Sequence, residues 1–345
     1  MGGFAKFGND LYTGARSFNF VGNRRIWYII AAVMILASIV GPALRGGFVF
    51  GIEFRGGSEF QVSQIANLDD DPIANQDTAT ETVEAIVPDV SPRVTTIGDD
   101  GIRVQTEQLT KEDSDSIADA LATTFDVPAT QVTASFIGPS WGADITTSAV
   151  RALVVFIILA AIVMALYFRT WKMSVAAIVS LLHDIIITAG VYGILGFEIT
   201  PSAVIGFLTI LGYSLYDTVV VFDKIRENTA EDGPASNRNF GESVNLAVNQ
   251  TLVRSINTGV VAALPVGAIL FIGAVVLGAG TLRDIALSLF IGIIIGTYST
   301  IFIAAPLYAQ LRENEPAILK QTKRLQAARL AGAKSPVAAS TEPAN

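Results

Sequence analysis

Asp217 is the residue in this sequence whose setting most needs a chemical explanation. It lies in the stretch Gly212–Asn228, GYSLYDTVVVFDKIREN, which begins in an apolar run and ends in a charged one. A carboxylate near the middle of a bilayer costs about 2.5–3.5 kcal/mol on insertion scales, so it marks a pathway or a partner. Ser214, Asp217, Thr218 and Val221 follow one another at i, i+3, i+4 and i+7, which places three polar groups on one helical face. Upstream, Ser180, Asp184 and Thr188 recur at every fourth position, with His183 beside Asp184. Downstream, Thr251, Arg254, Ser255 and Thr258 open another apolar run, and Arg254 and Thr258 share a face. Asp217 and Arg254 fall at compatible depths. Desolvation favours the neutral form of a carboxyl group, whereas a nearby guanidinium favours the ionised form. Movement of Arg254 toward or away from Asp217 would therefore couple a proton to a helix shift, as in proton relays. The plainer readings are a permanent ion pair, or an Asp hydrogen-bonded to a neighbouring helix. His183 reads as a hydrogen-bonded residue rather than a proton carrier.

Other chemistries are excluded by composition. The 345 residues include no Cys and one His, which removes disulfides, thiolate sites, Cys nucleophiles and His-cluster metal centres. No nucleotide-binding P-loop occurs. The expectation is a protein with no catalytic residue, cofactor or metal of its own, and no nucleic acid as partner.

The elements that must position these groups are mostly membrane spans. The chain is 51% hydrophobic and 16% charged, with a mean hydropathy of +0.51, whereas soluble chains average about 25% charged. The net charge of −8 is unevenly distributed. Residues 45–148 hold 18 acids and 5 bases, and the remainder holds 13 acids and 18 bases. An acidic, water-soluble insert and a membrane part with basic flanks are implied. Residues 1–25 read as a basic cytoplasmic segment, and residues 26–44 as the first span. A cleaved signal peptide fits less well, since its apolar core would be about 7–15 residues and no A-x-A site follows. Residues 45–148 read as strand (51–62), helix (75–86), strand (93–97), an Asp-Gly turn, strand (102–108), helix (111–125) and strand (131–137). That βαββαβ order is ferredoxin-like. Thr110 to Asp113 partly matches a capping box, with Asp in place of Glu or Gln. Five more apolar runs follow within residues 149–307, at about 149–168, 173–195, 202–222, 256–277 and 284–307. Residues 223–253 between two of them read as an inner loop, and 308–345 as a basic tail that is disordered from about Ala331. Basic loops place both termini inside and the acidic domain outside, between spans one and two. Asp284, Ser288, Gly292, Gly296 and Thr300 form a row at every fourth position that reads as a close-packing face.

Four motifs carry a family resemblance over nearly the whole chain. The stretch Gly212–Asn228 is similar to the fourth-span signature GYSxNDTVVVFDRIREN of the SecF family, and LLHDIIITAG (Leu181–Gly190) to its third-span signature. NQTLVRSINTG (Asn249–Gly259) resembles the start of its fifth span, and GIEFRGG (Gly51–Gly57) its GxDFxGG element. Tyr216 stands where that family has Asn, and Glu53 where it has Asp. The resemblance implies a membrane subunit of the bacterial Sec protein-export machinery, built as half of an RND-type transporter in the cytoplasmic membrane. It further implies SecD as the other half, association with the SecYEG channel and YidC, and an exported polypeptide as substrate, all among membrane lipids. Asp217 is similar to the family's proton-handling Asp and Arg254 to its partner. Asp184, Thr188, Ser214, Thr218 and Thr258 are supporting polar groups. The rival functions are an RND efflux component for small molecules or lipids, an intramembrane aspartyl protease, which would need a second G-x-G-D that is absent, and a passive scaffold.

Overall fold

A computed structural model describes residues 3–66, 68, 71–98, 100–230, 237–272 and 280–334. The chain starts with α1 (Gly3–Tyr12), which precedes the apolar helix α2 (Arg24–Leu44). A small domain follows: β1 (Val49–Phe50), α3 (Ile52–Arg55), β2 (Gly57–Val62), α4 (Pro72–Glu84), β3 (Arg93–Ile97), β4 (Gly101–Thr106), α5 (Lys111–Thr124) and β5 (Val132–Ile137). Then come α6 (Pro139–Phe168), α7 (Trp171–Leu195), the short β6 (Glu198–Ile199), α8 (Pro201–Ala230), α9 (Phe240–Phe271) and α10 (Gly280–Ser299). A π-helical stretch, Thr300–Ala304, joins α10 to α11 (Ala305–Arg312), and α12 (Pro316–Lys334) follows. By length and composition, six helical stretches among the described residues can cross a membrane: α2, α6, α7, α8, α9 and Leu282–Arg312.

The small domain has a four-stranded antiparallel sheet in the order β3-β4-β2-β5. Its hairpin pairs Ile97 with Gly101 across the turn expected from the sequence. Phe60, Val62, Ile102 and Val104 of the sheet are sealed against Ala79 and Val83 of α4 and Ile117 and Leu121 of α5. Each such aliphatic or aromatic side chain contributes roughly 1.5–3 kcal/mol by leaving water. The helix starts are fixed locally. The Asp71 side chain accepts from the Ile73 amide. The Thr110 hydroxyl accepts from the Asp113 amide and donates to its carboxylate at 2.6 Å, so Asp113 closes the motif on the hydroxyl.

Three expectations need correction. The strand read over 51–62 is instead the short helix α3 followed by β2, with Gly56 at φ +78° ending the helix turn before the strand begins at Gly57. The span read from residue 149 begins at Pro139, directly after β5 and Gly138, so the sheet feeds into a membrane helix without a loop. The inner loop read over 223–253 is mostly helix: α8 runs on to Ala230, and α9 starts at Phe240 on a full capping box between Asn239 and Glu242. The expected end of span five at 273–277 and the tail beyond Lys334 lie outside the described residues.

The N-terminal segment is more than a basic flank. Asn245 and Asn249, one turn apart on α9, clasp the backbone that follows α1. Asn245 Oδ1 accepts from the Phe20 amide (2.8 Å) and Asn249 Oδ1 from the Phe18 amide (2.7 Å). Both side-chain amides donate to the Phe18 carbonyl at 2.9 Å. Leu11 of α1 is fully buried in the same cluster as Val221, Phe222, Val244 and Tyr308. At the same end, Glu315 bridges Arg312 and Lys172. The Arg312 hydrogen bond outweighs burial and holds its carboxyl below the usual glutamate range.

Two glycines separate backbone strain from collision. A Cβ at Gly57 would meet the Thr106 carbonyl oxygen, whereas at Gly46, also at positive φ (+92°), nothing lies near. Gly46→Ala should cost about 1–2 kcal/mol, the price of the left-handed backbone alone. Gly57→Ala should cost clearly more, because β2 must also pull away from β4. Unfolding of the detergent-purified variants checks this, and equal losses would contradict the assignment.

Candidate functional site

Four helical segments deliver polar side chains to one place. α7 contributes His183 and Asp184, α8 contributes Ser214, Asp217 and Thr218, α9 contributes Ser255, and the run from α10 into the π-helical stretch contributes Gly296 and Thr300. None of the polar residues is more than 4% exposed. The α8 spacing read from the sequence explains its share, since residues three and four apart stack on one face.

Asp184 is met on both carboxylate oxygens. Oδ2 accepts from Ser214 Oγ at 2.5 Å, and Oδ1 lies 3.2 Å from His183 Nδ1. The Thr188 hydroxyl instead donates to the Asp184 backbone carbonyl (2.7 Å), so Thr188 supports the helix and leaves the carboxylate to others. Gly296 makes room for the pair: a Cβ there would stand 3.0 Å from Ser214 Cβ and 3.6 Å from Asp184 Oδ2. Thr218 shares a hydroxyl–hydroxyl bond of 3.0 Å with Thr300, the first residue of the π-helical stretch. Such stretches inside α-helices are frequent at functional sites. The small-residue row acts as a packing face: Gly206 on α8 receives Ser288, Gly292 on α10 receives Ile210, and Gly296 receives Ser214.

Asp217 is only half satisfied. Its Oδ1 accepts from Ser255 Oγ at 2.9 Å. Its Oδ2 is buried without a hydrogen-bond partner among the described residues. Arg254 makes no ion pair with it among the described residues. The Arg254 side chain is exposed and lines a cavity of about 410 Å³ with Tyr12, Tyr167, Asp223, Lys224 and Gln250, acting on Asp217 through space. The side chain in contact with Asp217 is thus Ser255, and the permanent Asp217–Arg254 ion pair weighed from the sequence is not formed among the described residues. Consecutive helical residues point about 100° apart, so a Ser255 turned inward leaves Arg254 turned aside. Thr258, one turn beyond Arg254, is half-buried and makes no side-chain hydrogen bond among the described residues. Tyr216 is 56% exposed on the outer side of α8 and does not touch the Asp217 carboxylate. The roles of Ser255 and Thr300 were not read from the sequence. Only the position of Ser255 beside Arg254 and of Thr300 in the small-residue row pointed toward them.

Six apolar helices around buried carboxylates, with a strand-containing domain between the first and second, define a multi-pass membrane protein with an intramembrane polar centre. The family model described as protein export membrane protein SecD/SecF, C-terminal, matches residues 116–314. The chain belongs to the SecD/SecF family, and within it to SecF. It is 45% identical over 333 residues to the protein translocase subunit SecF of Streptomyces coelicolor, covering 96% of this chain and 87% of that one. It is 39% identical over 341 residues to the corresponding subunit of Mycobacterium tuberculosis, covering 96% and 75%. Among solved structures it is similar to SecDF of Thermus thermophilus, a translocon-associated membrane protein, with a TM-score of 0.71 and 29% identity over 87% of this chain. This chain spans 39% of that longer SecDF chain.

Asp184 and Ser214, joined by one hydrogen bond, should be energetically coupled. In a double-mutant cycle of Asp184→Asn and Ser214→Ala, unfolding in mixed micelles should give an interaction energy of about 0.5–3 kcal/mol. Additivity within error would show that the 2.5 Å contact contributes nothing.

Proposed function

We propose that this chain is an auxiliary subunit of the Sec protein translocase that acts with SecD and uses the proton-motive force to promote polypeptide export. The observation that carries the reading is the state of Asp217: buried, bonded on one oxygen to Ser255, without a partner on the other among the described residues, and one residue of α9 away from a cavity-facing Arg254. An uncompensated charge in such a place is costly. Protonation removes the cost, and so does approach of the Arg254 guanidinium. Exchange between those two arrangements links proton passage to relative movement of α8 and α9. One charge crossing ~100 mV supplies ~2.3 kcal/mol, enough to bias a two-state equilibrium roughly 50-fold. That suffices to gate a movement, and repeated cycles are needed to advance a long polypeptide.

The basic inner loops and tail favour both termini on the cytoplasmic side of the cytoplasmic membrane. The small domain, read as ferredoxin-like on its βαββαβ order, then faces outward, where it holds or releases an emerging chain. SecD as the complementary half is supported by the SecDF relatives, in which a chain of more than twice the length contains a region similar to this one. SecYEG and YidC are the further expected associates. Asp184, Ser214 and Thr218 hold the surrounding helices, and Thr188 and Thr258 lie along the same spans.

Asp217→Asn should abolish proton-gradient-dependent export while leaving co-purification with SecD intact. Export assays in inverted vesicles, with and without an uncoupler, read the first, and affinity capture reads the second. Normal uncoupler-sensitive export by this variant would sink the relay.

A further inference from the structure

Three consecutive residues ahead of α8 are each tied to a different part of the molecule. The Glu198 carboxylate lies 3.9 Å from the Arg103 guanidinium on β4 of the small domain. The Ile199 carbonyl accepts from the Gly51 amide at 2.9 Å, within a two-residue parallel pairing of β6 with β1. The Thr200 hydroxyl donates to Asp284 Oδ2 at the start of the last span (2.8 Å) and accepts from the Ala203 amide at the start of α8 (3.2 Å). The Asp284 backbone carbonyl in turn accepts from the Tyr192 hydroxyl of α7 at 2.9 Å. The next element is α8, which carries Ser214, Asp217 and Thr218. Whatever moves α8 along or about its axis therefore pulls on the sheet, on the segment after α2 and on α10 through one turn.

The Arg103 contact is the adjustable part. Arg103 stands between two carboxylates, Glu198 of the turn and Glu59 of β2, the latter at 3.7 Å and already bonded to Gln105 (2.9 Å). The three side chains are 13–21% exposed, so the pair is not an ordinary solvated surface bridge. Yet it is incompletely made. Glu198 Oε1, Arg103 Nε and Glu53 Oε2 are all buried without a hydrogen-bond partner among the described residues. Burial, with Glu198 and Glu59 as acidic neighbours, pushes the Glu53 carboxyl up. Half-satisfied buried polar groups are expensive. Arg103 thus lies within reach of either carboxylate and is closed on neither.

We propose that the Glu198–Thr200 turn is a coupling joint, in which Arg103 of the small domain engages Glu198 so that displacement of α8 is passed to the domain and back. The proposal rests on the proton-coupled reading of Asp217 for its purpose, but the mechanical link is measurable without it. Because the chain contains no cysteine, Asp77→Cys on α4 and Leu195→Cys at the end of α7 give a unique pair of spin-label sites. Pulsed electron resonance on the full chain in proteoliposomes then reports the distance between domain and membrane part. Arg103→Glu and Glu198→Arg should each broaden a narrow distribution and each lose export. The two together should restore both, which also shows that neither single variant had merely misfolded. Single variants with the wild-type distribution, a double variant as defective as the singles, or a broadened distribution with export untouched would each overturn the joint. An Asp217→Asn variant with normal export would remove the relay and leave the distance experiment to decide the joint alone.

Discussion

A carboxylate taken out of water must be met by donors that the fold brings from elsewhere, and the arrangement of the central helices follows from that requirement. Leaving one such group bare costs several kcal/mol, a large part of the 5–15 kcal/mol by which a protein is stable. The donors here are serines, whose hydroxyls reach only a short way. Ser214 can serve Asp184 only if α7 and α8 lie close, and Ser255 can serve Asp217 only if α8 and α9 do. The glycines at 206, 292 and 296 allow α8 and α10 to approach until side chain meets backbone. In lipid this is how helices associate, since apolar side chains gain nothing by leaving an apolar solvent. The outward faces of α2, α6 and α9 are apolar for the complementary reason: Val33, Ile158 and Leu264 remain exposed to a solvent that accepts them.

What the sequence revealed and what it hid divide along the same physics. Hydropathy marks where a helix crosses oil, so all six spans were legible. It is silent on how far a helix continues into water, so the inner ends of α8 and α9 read as loop although Asn239 and Glu242 spell a capping box. Alternation gave β3, β4 and β5, but not the break before β2, because the local conformation of Gly56 and Gly57 is invisible to an apolar pattern. Helical spacing grouped Ser214, Asp217 and Thr218 correctly on one face. Between helices it gives no phase, so Arg254, the residue with a charge, stood out as the partner of Asp217, while its neighbour Ser255 makes the bond. The pairing of Asn245 and Asn249 with the N-terminal backbone, and of Glu198 with Arg103, joins residues far apart in sequence that no local rule connects.

The two aspartates of the central site, Asp184 and Asp217, differ in how completely they are satisfied. Asp184 has a partner on each oxygen and sits against Gly296. Asp217 has one serine on one oxygen and no partner on the other among the described residues, and Arg254, next to that serine, faces a cavity lined by Asp223, Lys224 and Gln250. A guanidinium kept among polar neighbours at the end of a long apolar stem is not stranded in oil, and such side chains trade between wet and buried positions at modest cost. The turn from Arg254 to Ser255 then becomes the economical step. Ser255 and Arg254 are consecutive, so about 100° of helix rotation separates the neutral donor that meets the carboxylate from the charged one that faces the cavity. The same incompleteness recurs just ahead of α8, where Arg103 lies 3.9 Å from Glu198 and 3.7 Å from Glu59, so unsatisfied polar groups lie both on the helix that carries Asp217 and just ahead of its start.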